Sequence, residues 1–479
     1  MRKYFQLLED CRYRPLQRLL NRIGINPSRH GFKGWLKTQT AIPMVSLRNV
    51  DLIKTVLLST LAAIRDIGHL GQRLRWLVEG KLDPNDWRTV REDAFGIRYL
   101  PLTTDNHART GTRERVRDVQ SRFREKLHVE LHALATQVIL DEHQRAIGVR
   151  YLKGQRLYRP HADMERVEGV ARELRATREV ILSGGAFNTP QLLMLSGIGP
   201  RAELESHGIE CRVDLPGVGQ NLQDRYEVGV VNRMNFKEWR IFEGADFSTD
   251  DQQYKEWKRS RTGPYITNGS VLSMYKRSVA TRPIPDLFCV AFLGRFQGYF
   301  PTYSKVFAEN VNYLTWAILK AHTNNRGGEI SLRSNDPQES PNVNFHYFDE
   351  GSEGGEEDLD SVVDGILFAR NLAEPLLSRG MIAEEVMPGA ACDSREKLRE
   401  FVRSHAWGHH ASCSCAIGPR DQQGVLDSRF RVYGTQGLRV VDASVFPRIP
   451  GFFIASAVYM IGEKAADVIL EDSLKMPLK

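Results

Sequence analysis

The stretch Arg178-Glu179-Val180-Ile181-Leu182-Ser183-Gly184-Gly185-Ala186-Phe187-Asn188-Thr189-Pro190-Gln191-Leu192-Leu193-Met194-Leu195 decides the fold class. Its first six residues form a short apolar run suited to a buried strand. Gly184 and Gly185 end the run, and a helical pattern follows. Pro190 suits the first helical turn and Gly197 the stop. Paired glycines let a ligand approach the backbone closely. The helix N-terminus behind them offers unpaired N–H groups and a positive dipole end. On the residues alone the segment reads either as an anion or nucleotide site or as a tight strand-to-helix turn.

Working outward, Val129–Leu134, Thr136–Asp141 and Ala146–Tyr151 read as three short strands after a helix at Arg113–Leu127. From about Val228 to Glu400 strands recur without regular helical alternation: Val271–Tyr275, Leu287–Phe292, Leu314–Lys320, Glu329–Arg333 and Val343–Tyr347. With helices at Leu359–Leu372 and Arg395–His405, the pattern predicts an antiparallel sheet with helices on one face. Leu438–Asp442 and Ile454–Leu470 read as a closing strand and helix. Residues 1–115 read as helices and loops, with helical spacing over Leu7–Leu20 and Leu52–Leu77 and a turn at Asp83–Trp87. The expected fold is α/β: a partial doubly wound domain interleaved with a domain built on an antiparallel sheet with helices.

The chain has 479 residues, 41% hydrophobic and 26% charged, which is enough for two or three cores. A formal net charge of +7 over that length is a weak argument for nucleic acid, and no such partner is expected. The basic stretch from Arg2 to Lys37 reads as a solvated helix face or as a contact for an anionic partner. No signal peptide is visible, and the run near Leu52–Ile64 falls short of the ~20 residues that a membrane span needs. The 6 cysteines are scattered, which suits a reducing, cytoplasmic compartment.

Several further runs carry chemistry: Leu215-Pro216-Gly217-Val218-Gly219-Gln220-Asn221-Leu222-Gln223-Asp224, then Gly437-Leu438-Arg439-Val440-Val441-Asp442-Ala443-Ser444, then Met460-Ile461-Gly462-Glu463-Lys464. Between them lies Gly328-Glu329-Ile330-Ser331-Leu332-Arg333-Ser334-Asn335-Asp336-Pro337. Together with the Gly184-Gly185 segment, and in this order, they resemble the signatures of the glucose–methanol–choline (GMC) flavoprotein oxidoreductases over about residues 112–472. Residues 1–111 fit the family's middle region more loosely. The resemblance implies FAD as cofactor and a small-molecule alcohol as substrate. It places Gly184, Gly185, Ala186, Asn221, Asp442, Ala443, Phe453 and Ile454 at the cofactor, with Asp442 on its ribityl–pyrophosphate part and the strand through Val138 at the adenine end. Without the family, Asp442 reads as a turn cap.

His405-Ala406-Trp407-Gly408-His409-His410-Ala411-Ser412-Cys413-Ser414-Cys415 gathers histidine and cysteine. Structural zinc wants ligand pairs two to four residues apart in two groups. Adjacent histidines and a Cys-x-Cys do not supply that, so no metal is expected. The family resemblance makes His410 the catalytic base, with hydride passing to flavin N5. On the residues alone each histidine reads as a packed core residue, and His405 and His409 keep that reading.

Three departures stand out. A strand, G-x-G-x-x-G, helix and later acidic residue should open such a domain. The first 100 residues hold nothing like it, and Gly197-Ile198-Gly199-Pro200 follows a helix. The chain therefore reads as starting after the first part of the domain, with an FAD-binding segment on another chain or upstream of Met1. Phe453 stands where the family has His or Asn, so His410 would act alone. Arg225 replaces a histidine that usually follows Asp224. The expected division is 1–111 as an N-terminal helical region at the cleft, 112–232 and 401–479 as flavin-domain segments, and 233–400 as the substrate domain. The expected function is FAD-dependent oxidation of an alcohol CH–OH group, or alternatively a non-catalytic remnant that does not hold FAD by itself.

Overall fold

The computed structural model describes residues 1–40, 50–66, 82–91, 96–161 and 168–475. Its centre is a six-stranded antiparallel sheet, in the order Ile382–Met387, Tyr226–Met234, Tyr313–Lys320, Leu287–Phe292, Ser270–Lys276 and Gly96–Arg98. Inner strands of a sheet covered on both faces read as continuous apolar runs. Tyr313–Lys320 and Leu287–Phe292 do so, and their alternate side chains go to different cores. Leu287, Cys289, Ala291, Leu314, Trp316 and Ile318 join the larger core. Phe288, Val290, Ala317 and Leu319 form a smaller one on the opposite face, with Phe452 against it.

The helix Gly355–Leu377 covers the first face with Leu359, Val362, Val363, Ile366, Ala369, Leu372 and Leu376. Each such Leu, Val or Ile side chain contributes about 1.5–3 kcal/mol on burial. Gly365 lets helix and sheet come close, since a Cβ there would stand 2.5 Å from Ile318 Cγ2. The helix Val50–Asp66 packs outside it, with Ser59 Oγ donating to the Leu372 carbonyl at 3.3 Å.

The second body joins distant parts of the chain. Val180–Leu182 pairs in parallel with Leu438–Val440. The helix Gly185–Leu195 follows the first strand, and Ala455–Lys475 follows the second after a loop. An antiparallel sheet of Ala133–Leu140, Ala146–Lys153 and Val170–Arg175 flanks them. The two runs expected over 129–141 are thus one strand, whose register shifts between Ala135 and Gln137. Within the described residues the parallel parts of this α/β body are two-stranded pairs, Val180–Leu182 with Leu438–Val440 and Ile198–Gly199 with Val213–Asp214, and Ile181 on the first is 44% exposed.

The N-terminal region differs from its expectation. Gly96–Arg98 is a strand at the edge of the central sheet. Three residues are too few to show alternation. Leu7–Leu20 is broken by the strand Glu9–Cys11 and restarts at Pro15. Its first helix, Arg2–Leu8, lies near Ala455–Lys475, where Trp35 Nε1 donates to Glu463 at 2.7 Å. Val50–Asp66 sits instead behind the central sheet. The described parts of residues 1–111 thus contribute to both bodies. The rest of the helix expected over Leu52–Leu77 lies outside the described residues. Among those described, no helix is long and apolar enough to cross a membrane.

Candidate active site

Backbone pairing builds the site. Glu227 and Trp407 exchange N–H···O bonds of 2.9 and 3.0 Å, and Gln223 and Ser412 exchange bonds of 3.0 and 2.9 Å. The segment 407–412 is thereby laid along the start of the Tyr226–Met234 strand. Gly408 allows the approach, because a Cβ there would stand 2.5 Å from Asp224 Oδ2. Asp224 Oδ1 accepts from the backbone N–H groups of Arg225 and His410, each at 2.7 Å.

This register brings two imidazoles to one carboxyl. His410 Nδ1 and His409 Nδ1 each lie 3.2 Å from Glu227 Oε1. Glu227 is 5% exposed and His410 6%. Neither Glu227 Oε1 nor His410 Nδ1 makes a hydrogen bond, so the short contact is not a bonded ion pair. Burial, and then the charge of Asp224, push the Glu227 carboxyl well above its usual range. Burial also lowers His410 to about 3, aided by His409 and Arg225, and lowers His409 to about 4. Charged forms are penalised most where water is excluded. His410 is therefore a neutral imidazole at neutral pH, with a lone pair to offer.

Phe453 stands beside it. Its ring centroid is 5.7 Å from that of His410 and 5.0 Å, edge-on, from that of Phe288, and the residue is 44% exposed. Arg225 holds this loop from below: Nε donates to the Phe452 carbonyl at 2.7 Å and one terminal nitrogen to the Pro450 carbonyl at 2.6 Å. Burial lowers this guanidinium to about 10, which leaves it charged. Ile454 begins the following helix, its carbonyl accepting from Val458. His405 lies apart, stacked on Phe401 with ring centroids 4.5 Å apart. Sequence reasoning missed Glu227, and it treated Arg225 only as a departure. The one signal was an acidic residue next to the apolar run Val228–Val231.

The glycine turn is the other half. Asp442 Oδ2 accepts from Gly185 N–H at 3.0 Å and Thr189 Oγ1 at 2.6 Å, while Oδ1 accepts from Ser444 N–H and Oγ at 2.7 and 2.6 Å. Gly184 N–H donates to Thr189 Oγ1. Asp442 is thus saturated by the turn it caps, and it organises the backbone without a free oxygen for a ligand. Gly185 has φ +82°, and a Cβ on it would meet nothing within 4 Å, so the turn faces open space. The Ala186 carbonyl accepts from Ser414 Oγ at 2.5 Å, and the Ala443 carbonyl from Cys413 N–H at 3.1 Å. These bonds tie the turn to the His410 segment.

Asn221, at φ +64°, is a staple: its amide donates to the carbonyls of Cys413 and Pro447 and its oxygen accepts from Gln223. Val138 is buried, and it lines a separate cavity of about 200 Å³ with Gln137, Ser196, Gly197 and Arg212. The structure therefore gathers Gly184, Gly185, Ala186, Asp442 and Ala443 at one turn, and His410, Phe453 and Ile454 at the other end of the bonded segment. None of the described cavities is lined by residues of both. The open face of Gly185 and the exposed Phe453 fit a flat, largely apolar ring system. The N–H groups of Gly184 and Gly185, spent internally, do not supply a phosphate cradle.

A family model described as GMC oxidoreductase matches in two parts, its N-terminal domain over residues 85–227 and its C-terminal domain over 323–462. The oxygen-dependent choline dehydrogenase of Pseudomonas putida is 34% identical over 397 residues, covering 80% of this chain and 63% of that protein. The protein of the same name from Staphylococcus aureus (strain MSSA476) is 33% identical over 351 residues, covering 72% and 56%. The chain thus spans about three fifths of the length of these relatives. Among solved structures, a formate oxidase variant from Aspergillus oryzae RIB40 superposes with TM-score 0.76 at 22% identity, covering 98% of this chain and 78% of that one. Pyridoxine 4-oxidase from Mesorbium loti gives 0.71 at 19%, covering 98% and 76%.

Proposed function

Because the chain belongs to the GMC oxidoreductase family, whose expected cofactor is FAD, we propose that it oxidises the CH–OH group of a small alcohol with His410 as base. The observation that carries this reading is the neutral, buried imidazole of His410 beside the exposed ring of Phe453. Gly185, Ala186, Ala443, Phe453 and Ile454 would hold the ring system. When bound, FAD would supply the two-electron acceptor for the hydride of the alcohol carbon. His410 takes the hydroxyl proton on its free lone pair. Asp224 fixes the backbone at His410, and Arg225 fixes the loop of Phe453. Phe453 offers no second base; it excludes water and forms an apolar wall. Choline, the substrate in the names of the relatives, is the first alcohol to try.

A second reading is favoured by one observation. The N–H groups of Gly184 and Gly185 and all the acceptor sites of Asp442 are spent internally. A chain so built holds FAD only with phosphate donors from elsewhere, and alone it is a non-catalytic remnant. The test is spectroscopic. Purified protein is dialysed against FAD, and flavin absorbance is followed with and without an alcohol panel headed by choline. Retained flavin that bleaches with an alcohol supports the first reading; colourless protein at saturating FAD overturns it in favour of the second.

A further inference from the structure

The run 405–415 alone lacks the ligand spacing of a metal site. The fold adds the missing ligand from a different element. One donor atom each from Glu227, His409 and His410 lies within 4.8 Å of the other two. Both imidazole Nδ1 atoms stand 3.2 Å from the same carboxyl oxygen. Two ligand atoms about 2.1 Å from one ion, at about 100–110°, are about 3.2–3.4 Å apart, which is the spacing of a tetrahedral zinc-class centre.

A second observation points the same way. Glu227 Oε1 and His410 Nδ1 are buried and have no hydrogen-bond partner. Such orphans cost about 1–3 kcal/mol each, and one cation satisfies both. We propose that Glu227, His409 and His410 form a binding site for a divalent transition-metal ion of the zinc class, with the fourth position open. The His409 side chain is 33% exposed and provides the way in. Trp407, stacked on His409 with ring centroids 5.5 Å apart, and Tyr299, at 4.6 Å, hold that imidazole in place. The other cluster with metal-ligand chemistry, Glu9, Cys11 and His30, differs because both His30 nitrogens already bond carboxylates.

The consequence for activity rests on the proposed role of His410. A metal on Nδ1 leaves the imidazole proton on Nε2, so the ring has no lone pair for the alcohol proton. The ion is then an inhibitor.

Chelator-treated full-length protein is titrated with Co2+, read by its tetrahedral visible absorption band, and the ion is then displaced with Zn2+. One equivalent is expected to bind with a tetrahedral band. Glu227→Gln and His409→Ala, checked for native circular dichroism, are expected to weaken binding at least about 10-fold. No such band, or binding unchanged in both variants, overturns the site. In flavin-loaded protein Zn2+ is expected to suppress alcohol oxidation. Binding without suppression keeps the site and overturns the reading of His410 as base.

Discussion

Arg225 reaches across to Phe452: its Nε donates to that carbonyl at 2.7 Å, and a second nitrogen takes the Pro450 carbonyl at 2.6 Å. A residue that looks like a departure in the sequence is therefore what fixes the loop presenting Phe453. Arg225→His, which is too short to reach either carbonyl, is expected to cost about 2–4 kcal/mol, since hydrogen bonds to a charged group contribute about 1.5–3 kcal/mol each. Urea unfolding measures the loss, and limited proteolysis across 447–453 shows where it falls.

Asp442 joins two strands that are far apart in sequence by capping the Gly184–Gly185 turn. Asp442→Ala strands the donors of Gly185, Thr189 and Ser444. The expected cost is about 2–4 kcal/mol, at about 1–3 kcal/mol for each buried group left unsatisfied and some relief from water. Asp442→Asn keeps the shape and half the acceptors and should lose less. Denaturant midpoints of the two variants give the comparison.

His410→Asn removes the proton acceptor while keeping a small polar side chain. In flavin-loaded protein the expected drop in kcat is about 10²–10⁴-fold, the usual worth of a positioned base. Flavin absorbance should remain. A kcat within threefold of the parent, with flavin bound, contradicts the assignment.

Gly365 lies where helix meets sheet. Gly365→Ala puts a methyl 2.5 Å from Ile318 Cγ2. Overpacking of this kind costs about 1–3 kcal/mol, outweighing the better helix propensity of alanine. Gly365→Ala combined with Ile318→Val should recover part of the loss, read as the change in Tm.

His30 is clasped between Glu9 at 3.0 Å and Asp83 at 3.1 Å. Burial alone would lower its pKa, but the bonds to Asp83, Cys11 and Glu9 and the charge of Glu9 carry it up to about 12. A raised folded pKa means that the stabilisation is full below the ordinary value of 6.5 and drains away as pH climbs toward about 12. His30→Gln should flatten that decline. It should also cost about 3–5 kcal/mol near pH 6, as breaking a buried charge pair does. Thermal unfolding of both proteins from pH 6 to 10 tests the slope.

What the sequence disclosed follows the range of the forces involved. Leu287–Phe292 and Arg395–His405 match their expected bounds because a continuous apolar run and helical spacing are local signals. The turn at Gly184–Gly185 was legible for the same reason. Gly96–Arg98 was not, because its place depends on pairing with Ser273, Met274 and Tyr275. Glu227 was invisible as a site residue, because only the ladder between 223–227 and 407–412 turns it toward the histidines. Asp442 was read both as a residue on the ribityl–pyrophosphate part of the cofactor and as a turn cap; in the structure its carboxylate accepts from four donors of its own turn.

The alternation within Leu287–Phe292 sorts mutations by consequence. Phe288 looks toward Phe453, whereas Cys289, one step along, looks into the wall of helices behind. Changes at the first kind of position reshape the surroundings of Phe453, and changes at the second reshape only how firmly the fold stands. One side of this strand is therefore free to vary while the scaffold is kept intact from the other.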